Sequence, residues 1–159
     1  MKSVYFFGDS NLEGVSLNKN LLGGKGANLS EMTKIGIPVP PGFTICTDVC
    51  NYYLKNKLFP DELDDEIKQG LIKIENIVNQ GFGNPKSPLL VSIRSGARQS
   101  MPGMMETVLN VGLNENNING LISQSKNSHF VYDSYRRLIM MFADVVMDKS
   151  NELDCDIRV

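Results

Sequence analysis

The sequence predicts an α/β (α+β) chain, with a mixed β-sheet and flanking helices up to about Gly112 and then the start of a helical subdomain. Three observations predict it. Short β-capable runs occur at 43–46, 89–93 and 107–111. Between the first two, Leu63, Ile67, Leu71, Ile74 and Val78 step by four, four, three and four, the spacing of one buried helical face. After Gly112 the composition turns to a turn-rich Asn114–Asn117 and then to helical spacing as far as Met147. The expected organisation is therefore 1–112, carrying the candidate ligand loops, and 113–159, the beginning of a helical subdomain.

Taken in order, Met1 to Phe7 alternates weakly and reads as a short edge strand. Gly23-Gly24-Lys25-Gly26 reads as a glycine-rich turn into a helix over Ala27 to Ile35, stopped by Gly36. Ile37 to Gly42 cannot continue that helix, because Pro38, Pro40 and Pro41 fix φ and remove donors. It reads as an extended connector into the strand Phe43–Cys46. Thr47 or Asp48 is expected to cap a helix through Leu54, and Pro60 suits the first turn of the next. That helix should end at Gly81 to Pro85. Leu89 to Ile93 has the length and apolarity of a buried strand, and Thr107 to Val111 is a second one. A short helix is expected over Ile118 to Ser123. A longer one over Phe130 to Met147 should carry Tyr135, Leu138, Phe142 and Val145 on one face. Ser150 to Val159 shows no closing element, so a truncated chain is expected.

The 159 residues have a formal net charge of −2, with 42% hydrophobic and 21% charged residues. This is ordinary for a soluble domain able to bury its own core. No overall basic field exists to hold nucleic acid or an anionic membrane, so any anion site must be local. No secretory signal core or membrane-spanning run is present, and a cytoplasmic location is expected. Cys46, Cys50 and Cys155 are odd in number and read as reduced thiols, and Asn28-Leu29-Ser30 reads as a chance glycosylation match. The acids from Asp61 to Glu66 read as a solvated helix start that suits the macrodipole, without a metal role. His129 reads as structural or exposed.

Chemistry concentrates at 89–110. Arg94 and Arg98 leave the end of an apolar strand in a loop of small residues, where open sheets commonly build ligand sites. Their guanidinium forks can pair bidentately with phosphate, or else with surface carboxylates. A charge pair at about 4 Å is worth about 4 kcal/mol at an effective dielectric near 20, so two arginines and a lysine could offset a triphosphate. Met101-Pro102-Gly103-Met104-Met105-Glu106-Thr107 follows. Gly103 allows close backbone approach and the loop amides can form an anion nest. The methionines either cover an apolar ring and shield phosphates, or fill the core. Lys25 between glycines at a helix start offers an ammonium and helix amides to a phosphate. The segment is not a Walker A loop, since Lys19 and Gly26 stand where its first glycine and its Ser/Thr belong.

Several of these segments together resemble one family. They are Leu22-Gly23-Gly24-Lys25-Gly26-Ala27-Asn28-Leu29-Ser30-Glu31-Met32, Ile37-Pro38-Val39-Pro40-Pro41-Gly42-Phe43, Ser92-Ile93-Arg94-Ser95-Gly96-Ala97-Arg98 and Met101-Pro102-Gly103-Met104-Met105-Glu106-Thr107-Val108-Leu109-Asn110. Tyr132-Asp133-Ser134-Tyr135-Arg136-Arg137 with Met141-Phe142 continues the pattern. The joint pattern resembles the start of the pyruvate, phosphate dikinases and covers essentially the whole chain. The resemblance implies the front lobe of an ATP-grasp-type nucleotide-binding domain. It implies an enzyme interconverting ATP, phosphate and pyruvate with AMP, diphosphate and phosphoenolpyruvate, assisted by Mg2+ whose ligands lie beyond this chain. A histidine on a separate swivelling domain, also outside this chain, would carry the phosphoryl group; His129 is not in a matching context. By the same resemblance Lys25 and Arg94 would contact ATP phosphates. Arg98, Met101, Gly103, Met104 and Thr107 would line or cover them.

Implied partners are ATP, phosphate, pyruvate, the remaining domains of the same polypeptide and a second copy in a homodimer. No nucleic acid or membrane is implied. The chain alone is expected to be inactive. Phosphoenolpyruvate synthase shares the Lys25 and Arg94 segments, while the Met101–Met105 run favours the phosphate-dependent enzyme. A non-catalytic nucleotide- or anion-binding module is the reading of a different class.

Overall fold

The computed structural model describes residues 2–8, 18–96 and 107–148. Its elements are β1 (Val4–Phe7), α1 (Lys19–Lys34), β2 (Gly42–Ile45), α2 (Thr47–Asn56), α3 (Leu63–Val78), β3 (Gly81–Phe82), β4 (Pro88–Leu89), β5 (Val91–Arg94), β6 (Thr107–Val111), α4 (Ile118–Ser125) and α5 (Ser128–Phe142). A π-helical turn, Ala143–Asp148, continues α5. The α/β character expected from sequence is present. The strands, however, do not form one mixed sheet. Among the described residues they pair as three two-stranded ribbons, β1–β2, β3–β4 and β5–β6. The chain forms two compact units. The first holds the described residues up to Asn79 with Gly96, and the second those from Gln80 to Ser95 and from Thr107 onward.

In the first unit β1 and β2 pair antiparallel from Val4↔Ile45 to Phe7↔Gly42, as period-two strands with mixed burial. The core beside them gathers buried Cys46, Val49 and Leu63, with Val4, Tyr5, Leu21 and Ile67 packed around. The α3 periodicity reads correctly: Leu63 and Ile74 are buried, while Ile72 and Ile77 on other faces are exposed. Gly36, at φ 83°, follows the end of α1 as a left-handed stop.

Local chemistry departs from expectation at three places in this unit. The N-cap of α2 is Cys46, with no side-chain cap bond, and not Thr47 or Asp48. Thr47 Oγ1 instead donates to the Asn20 carbonyl at 2.5 Å, joining the starts of α1 and α2. Pro60 lies before α3 rather than in its first turn; its carbonyl accepts from Leu63 N at 3.0 Å in the lead-in turn. The acids at 61–66 are not all solvated. Glu66 Oε2 accepts from both Ser3 N and Val4 N at 2.8 Å, tying α3 to β1. Such charge-assisted bonds to part-buried amides are strong ones. Glu66→Ala is expected to destabilise the chain by about 2 kcal/mol or more, and Glu66→Gln by about half that, because the amide oxygen still accepts. Urea unfolding checks this as a lower midpoint at constant slope. Equal midpoints for Glu66→Ala and the wild type would refute it.

In the second unit the apolar run at 89–93 is not one buried strand. It is split between β4, parallel to β3, and β5, antiparallel to β6. Leu89 is buried, but Ile93 is 57% exposed. The core here is Leu113, Ile118 and Val131, with Leu90, Leu121, Ile122, Tyr135 and Leu138 against it. The expected turn at Asn114–Asn117 is built around Asn117, which is fully buried. Its Nδ2 donates to the Gly112 carbonyl at 2.7 Å and its Oδ1 accepts from Asn114 N at 2.9 Å. Asn127 caps α5, accepting from Phe130 N at 3.0 Å. The expected single helix to Met147 changes to π geometry after Phe142. Its buried face is Val131 and Ser134, with Tyr135 and Leu138 partly buried, whereas Phe142 is 48% exposed. Ser150 to Val159 lies outside the described residues.

Candidate phosphate-binding site

The Lys25 segment is more helical than its glycines suggest. Asn18 starts the helix, accepting from Asn20 N through Oδ1 at 2.9 Å and from Leu21 N and Leu22 N through its carbonyl at 3.0 Å. Gly23 then breaks the helical path with φ 68° and ψ 172°, a conformation open to glycine and costly for other residues. The helix resumes at once, which puts Lys25 in the first turn of the segment after the break. That turn carries the positive end of the segment's dipole, and the Lys25 ammonium adds to it. Lys25 is half-buried.

Gly26 has a packing reason rather than a phosphate one. A Cβ built there would lie 2.7 Å from Thr44 Cγ2 and 2.8 Å from Thr44 Oγ1. Only a glycine lets α1 approach β2 this closely, so the position that Ser or Thr occupies in a Walker A loop is closed by Thr44. Gly26→Ala is expected to cost about 1–3 kcal/mol, the range for overpacking. Thr44→Ala in the same chain should recover most of that loss. A double-mutant cycle with no coupling between the two would contradict the packing account.

In the second unit Arg94 ends β5 and its side chain is exposed. Its ladder partner is Thr107, the first residue of β6. Directly opposed residues of an antiparallel pair project their side chains to the same face. The structure thus brings together two of the residues named from sequence. Lys25 belongs to the first unit and Arg94 and Thr107 to the second. Arg98, Met101, Gly103 and Met104 lie outside the described residues.

Sequence reading missed the Asn18 cap, the Thr47–Asn20 bond and the Glu66 tie. An asparagine just before a helical start was a usable signal for the first. The other two join residues distant in sequence and had none. On α5, Asp133 accepts from Arg136 and Arg137, each at 2.7 Å. The hydrogen bond from Arg136, then that from Arg137, holds its carboxyl below the usual range despite some desolvation. His129 is exposed in the first turn of α5.

The family described as pyruvate phosphate dikinase, AMP/ATP-binding domain, matches residues 19–71, the stretch that contains Lys25, Gly26 and Thr44. That match takes in about a third of the chain. The similarity to whole proteins extends much further along the chain. A pyruvate, phosphate dikinase from Rhizobium meliloti is 48% identical over 153 residues, 96% of this chain and 17% of the relative. One from Clostridium symbiosum is 50% identical over 137 residues, 86% of this chain and 16% of the relative. A chloroplastic one from Flaveria trinervia is 52% identical over 147 residues, 92% of this chain and 15% of the relative. The chain therefore matches an AMP/ATP-binding portion of dikinases, which are phosphotransferases, and spans about a sixth of their length.

Proposed function

We propose that this chain is the N-terminal nucleotide-binding portion of a pyruvate, phosphate dikinase. The reaction assigned to the whole protein is ATP + pyruvate + phosphate = AMP + phosphoenolpyruvate + diphosphate. Residues 1–112 would act as the ATP-grasp-type lobe carrying the phosphate contacts, a functional division distinct from the compact units. Residues 113–159 would open a helical subdomain. The observation that carries the reading is the pairing of Arg94 with Thr107 at the end of the β5–β6 ribbon. It sets Arg94 and Thr107 directly opposite one another at the two ends of the candidate loop.

Lys25 and Arg94 would hold ATP phosphates, with Arg98, Met101, Gly103, Met104 and Thr107 completing the contacts. Their work is electrostatic. They orient the nucleotide and stabilise charge on the transferring phosphoryl group, where catalysis of this kind chiefly lies. The acceptor histidine would belong to a domain outside this chain. Among the described residues no three His, Cys, Asp or Glu side chains group as metal ligands. By the likeness to the dikinases, Mg2+ would take its protein ligands from parts of the polypeptide beyond this chain. No described helix is long and apolar enough to cross a membrane. We place the protein in the cytoplasm, as a homodimer when full-length.

The test is a pyruvate-dependent assay of the full-length protein with and without phosphate. AMP and phosphoenolpyruvate should form only when phosphate is present; equal turnover without it would assign the chain to a phosphoenolpyruvate synthase instead. The isolated 159 residues should form neither product. Turnover by them would overturn the division of labour between this lobe and the remaining domains.

A further inference from the structure

We propose that Asn110 is a positioning residue that locks the β5–β6 register and thereby sets Arg94 beside Thr107. The pairs are Val91↔Val111, Ile93↔Val108 and Arg94↔Thr107. Between the first and second pairs β5 advances two residues and β6 advances three. One extra residue is therefore bulged out of β6 between Val108 and Val111. Asn110 lies in that interval and has φ 60°. Bulges of this kind use a left-handed residue, and asparagine is among the few non-glycine residues that accept it readily.

The consequence is a choice between two registers. Were the Val91↔Val111 alignment carried on without the bulge, Ile93 would face Leu109 and Arg94 would face Val108. A one-residue slip sends each side chain of a strand to the opposite face. Arg94 would then stand against a residue that is 7% exposed, and not against the hydroxyl of Thr107. The root of the ribbon cannot take up the slack. Leu113 N donates to the Asn110 carbonyl at 3.1 Å. Buried Asn117 holds the Gly112 carbonyl. Gly112 lies so near Leu89 that an added Cβ would be 2.6 Å from its carbonyl oxygen. The bulge is the one adjustable step between that fixed corner and Arg94. A left-handed Asn110 thus decides which residue Arg94 meets. Its effect on nucleotide phosphates rests on the role proposed for Arg94; the register does not.

Cross-strand disulfides in the full 159-residue chain read the register directly. The pair Ile93→Cys/Val108→Cys should oxidise in the wild-type background and with Asn110→Gly, because glycine keeps the left-handed conformation. The pair Ile93→Cys/Leu109→Cys should not. With Asn110→Val, whose β-branched side chain resists φ 60°, the 93–108 link should be lost and the 93–109 link should appear, as located by mass mapping of peptides. Retention of the 93–108 link in Asn110→Val would overturn the proposal. So would loss of both links, which would make Asn110 a folding determinant and not a register lock. Loss of the 93–108 link in Asn110→Gly would overturn it equally. If the register behaves as stated while Arg94→Ala leaves ATP use intact, the lock stands and the phosphate role of Arg94 falls.

Discussion

Gly120→Ala is expected to destabilise the chain by about 2 kcal/mol or more, although helix propensity alone favours alanine by about 1 kcal/mol. Gly120 sits in α4, packed on the turn between β3 and β4. A Cβ there would collide with the Pro85 carbonyl oxygen and come within 3.0 Å of Lys86 Cα. Both obstacles are backbone, so no side-chain rotation relieves them. The contact is also pinned from a second point, since Gln124 Nε2 donates to the Lys86 carbonyl at 3.0 Å. The helix must shift away from the turn, loosening the Leu113–Ile118–Val131 core it helps to close. Urea denaturation decides the sign: the close-packing account requires a lower midpoint, and a higher one would mean that propensity outweighs contact here.

Arg94→Ala in the full-length enzyme is expected to lower kcat/KM for ATP by about 10²–10³-fold, the loss typical of removing one preorganised charge-stabilising donor. Stability should change little, because the Arg94 side chain is exposed. Arg94→Lys should recover only part of the loss. A lysine restores the charge but not the planar fork that grips phosphate bidentately. Full recovery by lysine would make Arg94 a general source of charge, without directional contact.

How far the structure could be read from the sequence follows the range of the interactions involved. The α3 face was legible because one helix and one core suffice to define it: Leu63 and Ile74 are buried where the spacing puts them. The end of α1 was legible because Gly36 is a local device. The run at 89–93 was misread because strand pairing is non-local. Nothing in those residues tells that β4 joins β3 while β5 joins β6. The same holds for Glu66, whose charge suggested solvent and whose partners lie 62 and 63 residues away. At the candidate site, residue type and the strand end nominated Arg94, the family resemblance added Thr107, and their direct pairing emerged only with the register. Gly26 looked like part of a phosphate loop and is required by Thr44. Arg98, Met101, Gly103 and Met104 lie outside the described residues.

If Arg94 serves the ATP side of a two-step phosphoryl transfer, its loss must separate the two half-reactions. Isotope exchange in full-length Arg94→Ala, run separately for the ATP half-reaction and for pyruvate–phosphoenolpyruvate exchange, tests it most directly. The ATP half-reaction should be crippled while the pyruvate exchange stays near wild type. An equal fall in both exchanges, in a protein whose unfolding midpoint is unchanged, would contradict it.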